Sequence, residues 1–321
     1  MFRSGVLVTL ERSGYGGDGD DEVLAMRESS LGDRLSGRLR RDGYLYLPGF
    51  LTGVWSATAR LRDALHGVGW LARPDRLDLA TEPRPRFTAD SFREVYPTVQ
   101  RVEEFHSLAH DSRLLELMES LLDGPVFCHP AKAARLAART SPDEEFSTRP
   151  HQDFVRLHVA SDVLTAWVCL ADCSAERQGL RVLAGSHLAG FLPTRSAPGS
   201  ARPLYVPVAE NDPDWCGADF RVGDVVVFHS LTIHCGGPNR TDTLRLSADF
   251  RYQRRTDTMR TEWAHPHGWP NTPDWPEITT GWTSEEWVAL PPEVVLVPMP
   301  DVDYGTYLAT LSAPYSALLG S

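Results

Sequence analysis

The chain is poor in cysteine, in long apolar runs and in positive charge. Five cysteines occur in 321 residues, Cys128, Cys169, Cys173, Cys216 and Cys235, and no C-x-x-C is among them. An odd, scattered set argues against a disulfide framework and a structural zinc knuckle. It predicts reduced, mostly buried thiols in a cytoplasmic protein. No segment approaches the roughly 20 apolar residues needed to cross a bilayer. The N-terminal "MFRSGVLVTLERSGYGG" lacks the basic-apolar-small order of a signal peptide. Neither a membrane partner nor secretion is expected, and the sequon match Asn239-Arg240-Thr241 is read as chance. Lysine and arginine total 32 against 43 acids, a formal charge of -11. Phosphate-backbone binding is largely a Lys/Arg effect, so no nucleic-acid partner is expected.

Apolar residues make up 42% of the chain, enough for a sizeable core, and nine tryptophans and 24 prolines point to many turns. Residues 1–22 read as a mobile, solvated tail, and residues 23–321 as one domain in three stretches. In 23–124, "SSLGDRLSGRLRRDG" and "TGVWSATARLRDALHGV" read as helices flanking a short strand, "YLYLPGFL". Residues 70–100, rich in proline and charge, read as a long loop. "VEEFHSLAHDSRLLELMESLLDG" then reads as a helical stretch broken near Asp111. From 125 to 255 short strand candidates follow one another between Gly, Pro, Asp and Ser turns: "PVFCHPAKAARLAA", "HQDFVRLHV", "LTAWVCLADC", "LRVLAGSH", "ARPLYVPV", "DVVVFHSLTIHCG" and "TLRLSADFRYQ". That succession predicts a mainly β fold with flanking helices, a sandwich or jelly roll. Residues 256–321 form a Trp- and Pro-rich extension.

Side chains alternate along a strand, so "HQD" as a strand points His151 and Asp153 the same way, toward one metal ion. In "GDVVVFHSLTIHCGG", counting back by twos from His234 leaves His229 on the opposite face. His234 is therefore the third candidate ligand, a choice that a bulge would reverse. Two imidazoles and one carboxylate are the donor set of non-haem Fe(II) oxygenases, although a catalytic zinc can use the same set. Arg245 stands eleven residues after His234 inside an apolar run. Burying an arginine there demands a partner, and its planar fork suits a carboxylate. Ser247 shares its face. A dicarboxylate that chelates the metal at one end and meets Arg245 at the other is 2-oxoglutarate. The rival to this role is a structural ion pair with an acid such as Asp249.

These residues carry a resemblance. "GDVVVFHSLTIHCGGPNRTDTLRLSADFRY", together with "HQD", "TAWVCLADC" and "GLRVLAGSH" in the same order, resembles the phytanoyl-CoA dioxygenase family over about residues 40–60 and 105–255. The resemblance implies a double-stranded β-helix and the use of Fe(II), 2-oxoglutarate and O2. It implies His151, Asp153 and His234 as iron ligands and Arg245 as the cosubstrate anchor. It also sets Trp167 near the cosubstrate, with a core aromatic as the alternative, and Lys132 or Arg135 as a further assisting residue. Related halogenases lack the ligand carboxylate, so retention of Asp153 favours oxygen insertion or desaturation. No basic surface for CoA phosphates is evident, which points to another small molecule, such as a secondary-metabolite intermediate.

Other candidates have simpler readings. His187 is expected to hold a turn, His265 and His267 to pack in a loop, and His158 to lie in a loop near the site. Arg181 and Arg251 are expected to be solvated or ion-paired. The segment holding Trp263, Trp269 and Trp275 is either a lid or plain cover for the barrel end. Two rivals to an oxygenase stay open at this stage: a non-catalytic metal- or ligand-binding protein, and a zinc or manganese hydrolase or isomerase.

Overall fold

The Arg245–Arg254 strand organises the β core. In the computed structural model the described residues are 24–26, 35–80, 89–140, 147–157, 162–174, 179–196, 204–209, 212–268 and 272–299; the expected tail, 1–22, lies outside them. The long strand pairs antiparallel with Leu164–Cys169 on one side. On its other side it pairs with Ala133–Ala137 and Val126–Cys128. Val225–His229 and Tyr44–Leu47 extend the sheet beyond Leu164–Cys169, giving six strands. A second sheet holds Leu24–Ala25, Trp215–Gly217, Leu180–Leu183, His234–Gly236 and Thr148–His151, antiparallel except for its first pair. Two mostly antiparallel sheets closed on each other form the expected jelly-roll core.

Tyr44–Leu47, Leu164–Cys169 and Val225–His229 of the larger sheet are largely apolar on both faces because both faces are covered. Leu246, Ala248, Phe250 and Tyr252 share a core with Leu164, Ala166, Val168, Val225 and Val227 and with the helices Val54–Gly67 and Ser112–Leu122. The opposite parity faces the barrel interior, where Tyr44, Tyr46, Trp167, Val226 and Phe228 meet Leu180, Val182 and Cys216 of the second sheet. Along the long strand that inward parity falls on Arg245, Ser247, Asp249, Arg251 and Gln253, and each is buried. These five polar side chains make one wall of the barrel's inner chamber polar, in an otherwise apolar interior.

Helix Ala89–Gln100 corrects the expected 70–100 loop. Proline and charge mark a turn locally, but Val95, Tyr96 and Val99 are buried against the core, and that burial outweighs the break at Pro97. The stretch after residue 102 forms Glu103–Ser107 and Ser112–Leu122, interrupted as expected, with Asp111 capping the second helix through Arg113 N–H. Among the described residues no helix is long and apolar enough to cross a membrane. All five cysteines are buried free thiols. Asn239 is fully buried and its amide donates to Ala137 O and Thr243 O, which closes it to glycosylation.

Glu103 clamps the C-terminal stretch to the helical layer with four hydrogen bonds. Glu103 accepts from Thr283 N–H at 2.8 Å, Thr283 Oγ–H at 2.6 Å, Ser284 N–H at 3.1 Å and Trp287 Nε1–H at 3.0 Å. Burial pushes its carboxyl up, but these hydrogen bonds outweigh burial and hold it below its ordinary value of 4.5. A depressed folded-state pKa contributes stability that is present above 4.5 and lost as the pH falls through the lower folded value. Acidification below 4.5 is therefore expected to shift the tryptophan fluorescence of this stretch. Glu103→Gln should remove that step from the titration; an identical acid transition in the variant would acquit Glu103.

Candidate metal centre

The two histidines meet as a cross-strand pair. His151 closes the Thr148–His151 strand, His234 opens His234–Gly236, and the two are register partners with ring centroids 4.1 Å apart. Each ring is oriented from behind: His151 Nδ1 lies 2.8 Å from Arg149 O, and His234 Nδ1 lies 3.0 Å from Thr232 O. With the proton on Nδ1, both Nε2 lone pairs turn to the same point. Asp153 Oδ1 stands 3.8 Å from each Nε2, and the three donor atoms lie within 4.8 Å of one another on buried residues. A first-row metal binds such donors at about 2.0–2.2 Å, so atoms at this spacing can share one ion. No other such His, Cys, Asp and Glu group of three occurs among the described residues.

Asp153 reaches the site by a route that differs from strand alternation. The strand ends at His151, and residues from Phe154 to Leu157 form a short helix instead of continuing "HQDFVRLHV" as a strand. Gln152, between the ligands, fixes the turn: its amide donates to Gly190 O at 2.8 Å and Leu231 O at 2.7 Å, and its carbonyl accepts from Leu192 N–H at 2.9 Å. Phe154 N–H adds a bond to Ser230 O. The turn bearing Asp153 is thus tied to the loop that delivers His234.

The count by twos from His234 also needs correction. Val225–His229 and His234–Gly236 are separate strands in different sheets, so no alternation runs across residues 230–233. The structure nevertheless brings His234, and not His229, to the other ligands. Phe228 is the neighbour on the inward side, 4.4 Å from the His234 ring. His229 turns to Asp162, 3.6 Å away, and accepts Leu231 N–H on Nδ1.

Asp153 Oδ2 carries a separate set of contacts. It accepts from Thr165 Oγ–H at 3.0 Å and from Arg251 Nε–H at 3.0 Å, with Arg251 Nη2 at 2.9 Å. Arg251 also lies 3.7 Å from Asp249, which Arg135 grips through Nε and Nη2. Sequence reasoning offers Arg135, Asp249 and Arg251 separately and misses Thr165; the shared parity of Asp249 and Arg251 with Arg245 is the signal that groups them. Arg251 is ion-paired as expected, but its partner is a candidate ligand.

Arg245 is buried, its guanidinium donating to Gly237 O at 2.8 Å and Ser147 Oγ at 2.7 Å. Desolvation lowers its pKa, with the thiols of Cys173, Cys235 and Cys169 pulling the other way. Asp249, the acid weighed as its ion-pair partner, is engaged by Arg135 and Arg251. Ser247 pairs in register with Arg135 and Cys169, and Trp167 with Asp249, so both share the inward face. Trp167 packs on Phe220 at 4.6 Å.

Lys132 precedes the Ala133–Ala137 strand, and its Nζ–H donates to Trp287 O at 2.6 Å under the C-terminal stretch. Burial lowers its pKa and that of its neighbour His106. Arg135, the register partner of Ser247, lies on the inward parity of its strand and grips Asp249.

The tryptophan-rich segment divides. Trp263 covers Arg251, its ring 5.1 Å from the guanidinium carbon, and its Nε1–H donates to Arg156 O at 2.9 Å. Trp275 and Trp282 pack instead on His106 in the helical layer; Trp269 lies outside the described residues. His129 bonds Gln253 and is held neutral, pushed down to about 3 by burial. His187 holds a turn through Arg40 O, His267 meets the Tyr96 hydroxyl, and His265 faces Asp274. Arg181 stacks over Trp215 away from the chamber. His158 lies outside the described residues.

Residues 39–247 match the family described as "Phytanoyl-CoA dioxygenase (PhyH)". The chain is 28% identical over 255 residues to an L-proline trans-4-hydroxylase of Streptomyces griseoviridis, covering 71% of this chain and 87% of that one. Among solved structures it is similar to the apo form of the non-haem monooxygenase ThoJ, with a TM-score of 0.53 at 19% identity, covering 89% of this chain and 96% of that chain. It is also similar to SnoN, a non-haem alpha-ketoglutarate-dependent epimerase of nogalamycin biosynthesis, with a TM-score of 0.48 at 26% identity over 70% of this chain and 81% of that one.

Proposed function

This chain belongs to the phytanoyl-CoA dioxygenase family of Fe(II)/2-oxoglutarate oxygenases, and on that premise we propose that it hydroxylates an unactivated C–H bond of a small molecule. The observation that carries the proposal is the convergence of His151, Asp153 and His234 in a chamber whose lining strand also presents Arg245. A structural zinc site would be closed and sulfur-rich; this donor set leaves positions open. The hydroxylase relative supports oxygen insertion and a substrate of amino-acid size. The acidic balance of the chain argues against a CoA thioester, whose phosphates demand basic residues.

In this reading His151, Asp153 and His234 hold the iron, and both imidazoles keep their protons on Nδ1 against backbone carbonyls. Iron with 2-oxoglutarate and O2 supplies a C–H oxidation that leaves one oxygen atom in the substrate and one in succinate. Arg245 receives the far carboxylate of 2-oxoglutarate, with Ser247 beside it and Trp167 walling the same face. Arg135, rather than Lys132, is the second basic residue for the cosubstrate. The chain's task is positioning and exclusion of water, and the apolar barrel floor of Trp167, Phe220, Val226 and Phe228 supplies the dry side.

The test is incubation of iron-loaded protein with 2-oxoglutarate, air and a panel of free amino acids and natural-product intermediates, read by mass spectrometry. The expected result is succinate together with a product heavier by one oxygen atom. Succinate coupled to a product of unchanged or lower mass would sink the hydroxylase reading while sparing the oxygenase family.

A further inference from the structure

We propose that Arg251 is a positioning residue that holds Asp153 to the metal through one oxygen only. The inference rests on the metal-site reading above and adds a role for residues that reading does not use. Its basis is an asymmetry. A structural Arg–carboxylate pair is frequently fork to fork, one N–H to each oxygen. Here Arg251 Nε and Nη2 both converge on Oδ2, at 3.0 and 2.9 Å, and Thr165 Oγ–H joins them at 3.0 Å. Oδ1 is left facing the two imidazole Nε2 atoms at 3.8 Å each. Three donors around one oxygen occupy the lone pairs that a two-oxygen metal contact would need.

That restraint has a chemical purpose. Held by three protein donors, a bound iron would need its remaining room for 2-oxoglutarate and O2. An Asp153 that swung to bind through both oxygens would take part of that room. Arg251 can resist the swing because it is itself immobile. It is only 2% exposed, its Nη1 is buried without a hydrogen-bond partner, Asp249 lies 3.7 Å from Nη2, and the Trp263 ring covers the guanidinium at 5.1 Å. Leaving an arginine nitrogen unbonded in the interior is costly. Trp263 comes from the C-terminal stretch, so that stretch reaches a metal ligand through one intervening side chain.

The experiment uses Co(II) alone as the probe, with Arg251→Gln, Arg251→Lys and the near-isosteric Thr165→Val. Affinity is measured by chelator competition, and coordination by the Co(II) d–d spectrum before and after 2-oxoglutarate. Arg251→Gln is expected to weaken Co(II) binding roughly 10–100-fold, the usual effect of losing a partner of a metal ligand. It should also change the d–d bands and weaken 2-oxoglutarate binding to the Co(II) form. Thr165→Val should show the same changes at a few-fold, and Arg251→Lys should fall between. If folded Arg251→Gln and Thr165→Val match the parent in affinity and spectrum, Arg251 is only a structural ion pair and the inference fails. Should Arg251→Gln not fold, Thr165→Val and Arg251→Lys decide by the same criteria. Failure of the parent itself to bind Co(II) would instead overturn the metal site.

Discussion

Replacing His234 by alanine abolishes metal binding, whereas replacing His229 by alanine leaves it intact. His234 is the cross-strand partner of His151, and its Nε2 stands 3.8 Å from Asp153 Oδ1. Only one imidazole and one carboxylate remain without it, and no neighbouring donor can take its place: Phe228 occupies the adjoining inward position. The loss should exceed the roughly 10–100-fold effect of removing an outer partner of a ligand. His229 faces Asp162 and contributes to the His229–Asp162–Arg254 surface cluster. Its removal should raise the Asp162 carboxyl, now held down to about 2 first by His229 and then by Arg254 against burial, and leave the metal untouched. Metal affinity of the two variants, read by chelator competition, separates these expectations; loss of binding in His229→Ala would reverse the ligand assignment.

Arg245→Ala is expected to raise the dissociation constant for 2-oxoglutarate with little change in metal affinity. Removing one member of a buried charge–carboxylate contact costs roughly 2–5 kcal/mol, which corresponds to about 30-fold to several-thousand-fold. The guanidinium is held by Gly237 O and Ser147 Oγ, so its direction is set before any ligand arrives. Arg245→Lys should recover only part of the loss, since an ammonium lacks the planar fork. At saturating 2-oxoglutarate the turnover should approach that of the parent. Unchanged 2-oxoglutarate affinity in folded Arg245→Ala would remove Arg245 from this role.

Much of the site was legible in the sequence because strand parity survives burial. Arg245 and Ser247 were grouped on one face by alternation, and the structure extends that face to Asp249, Arg251 and Gln253. Alternation fails where a strand ends. Alternation pairs His151 and Asp153 as strand neighbours, yet Asp153 sits on a turn fixed by Gln152, whose three hydrogen bonds reach residues distant in sequence. The count by twos that favours His234 runs through residues 230–233, where the chain leaves one sheet for the other. The place of His234 is set by pairing with His151, which no local pattern encodes. Lys132 and Arg135 looked equivalent because both are basic and precede the same motif. Arg135 lies within Ala133–Ala137 opposite Ser247, whereas Lys132 precedes that strand and bonds Trp287 O, and only the tertiary register separates them. Pro97 concealed a helix because local propensity is overruled by burial of its neighbours.

The central claim is that this His–Asp–His site takes iron and 2-oxoglutarate together. The most direct measurement is the visible spectrum of anaerobic, Fe(II)-loaded protein titrated with 2-oxoglutarate. A charge-transfer band that grows to saturation, and that is absent in His234→Ala, is the result predicted. Well-folded, iron-loaded protein that develops no such band, and forms no succinate when air is admitted, would contradict the account.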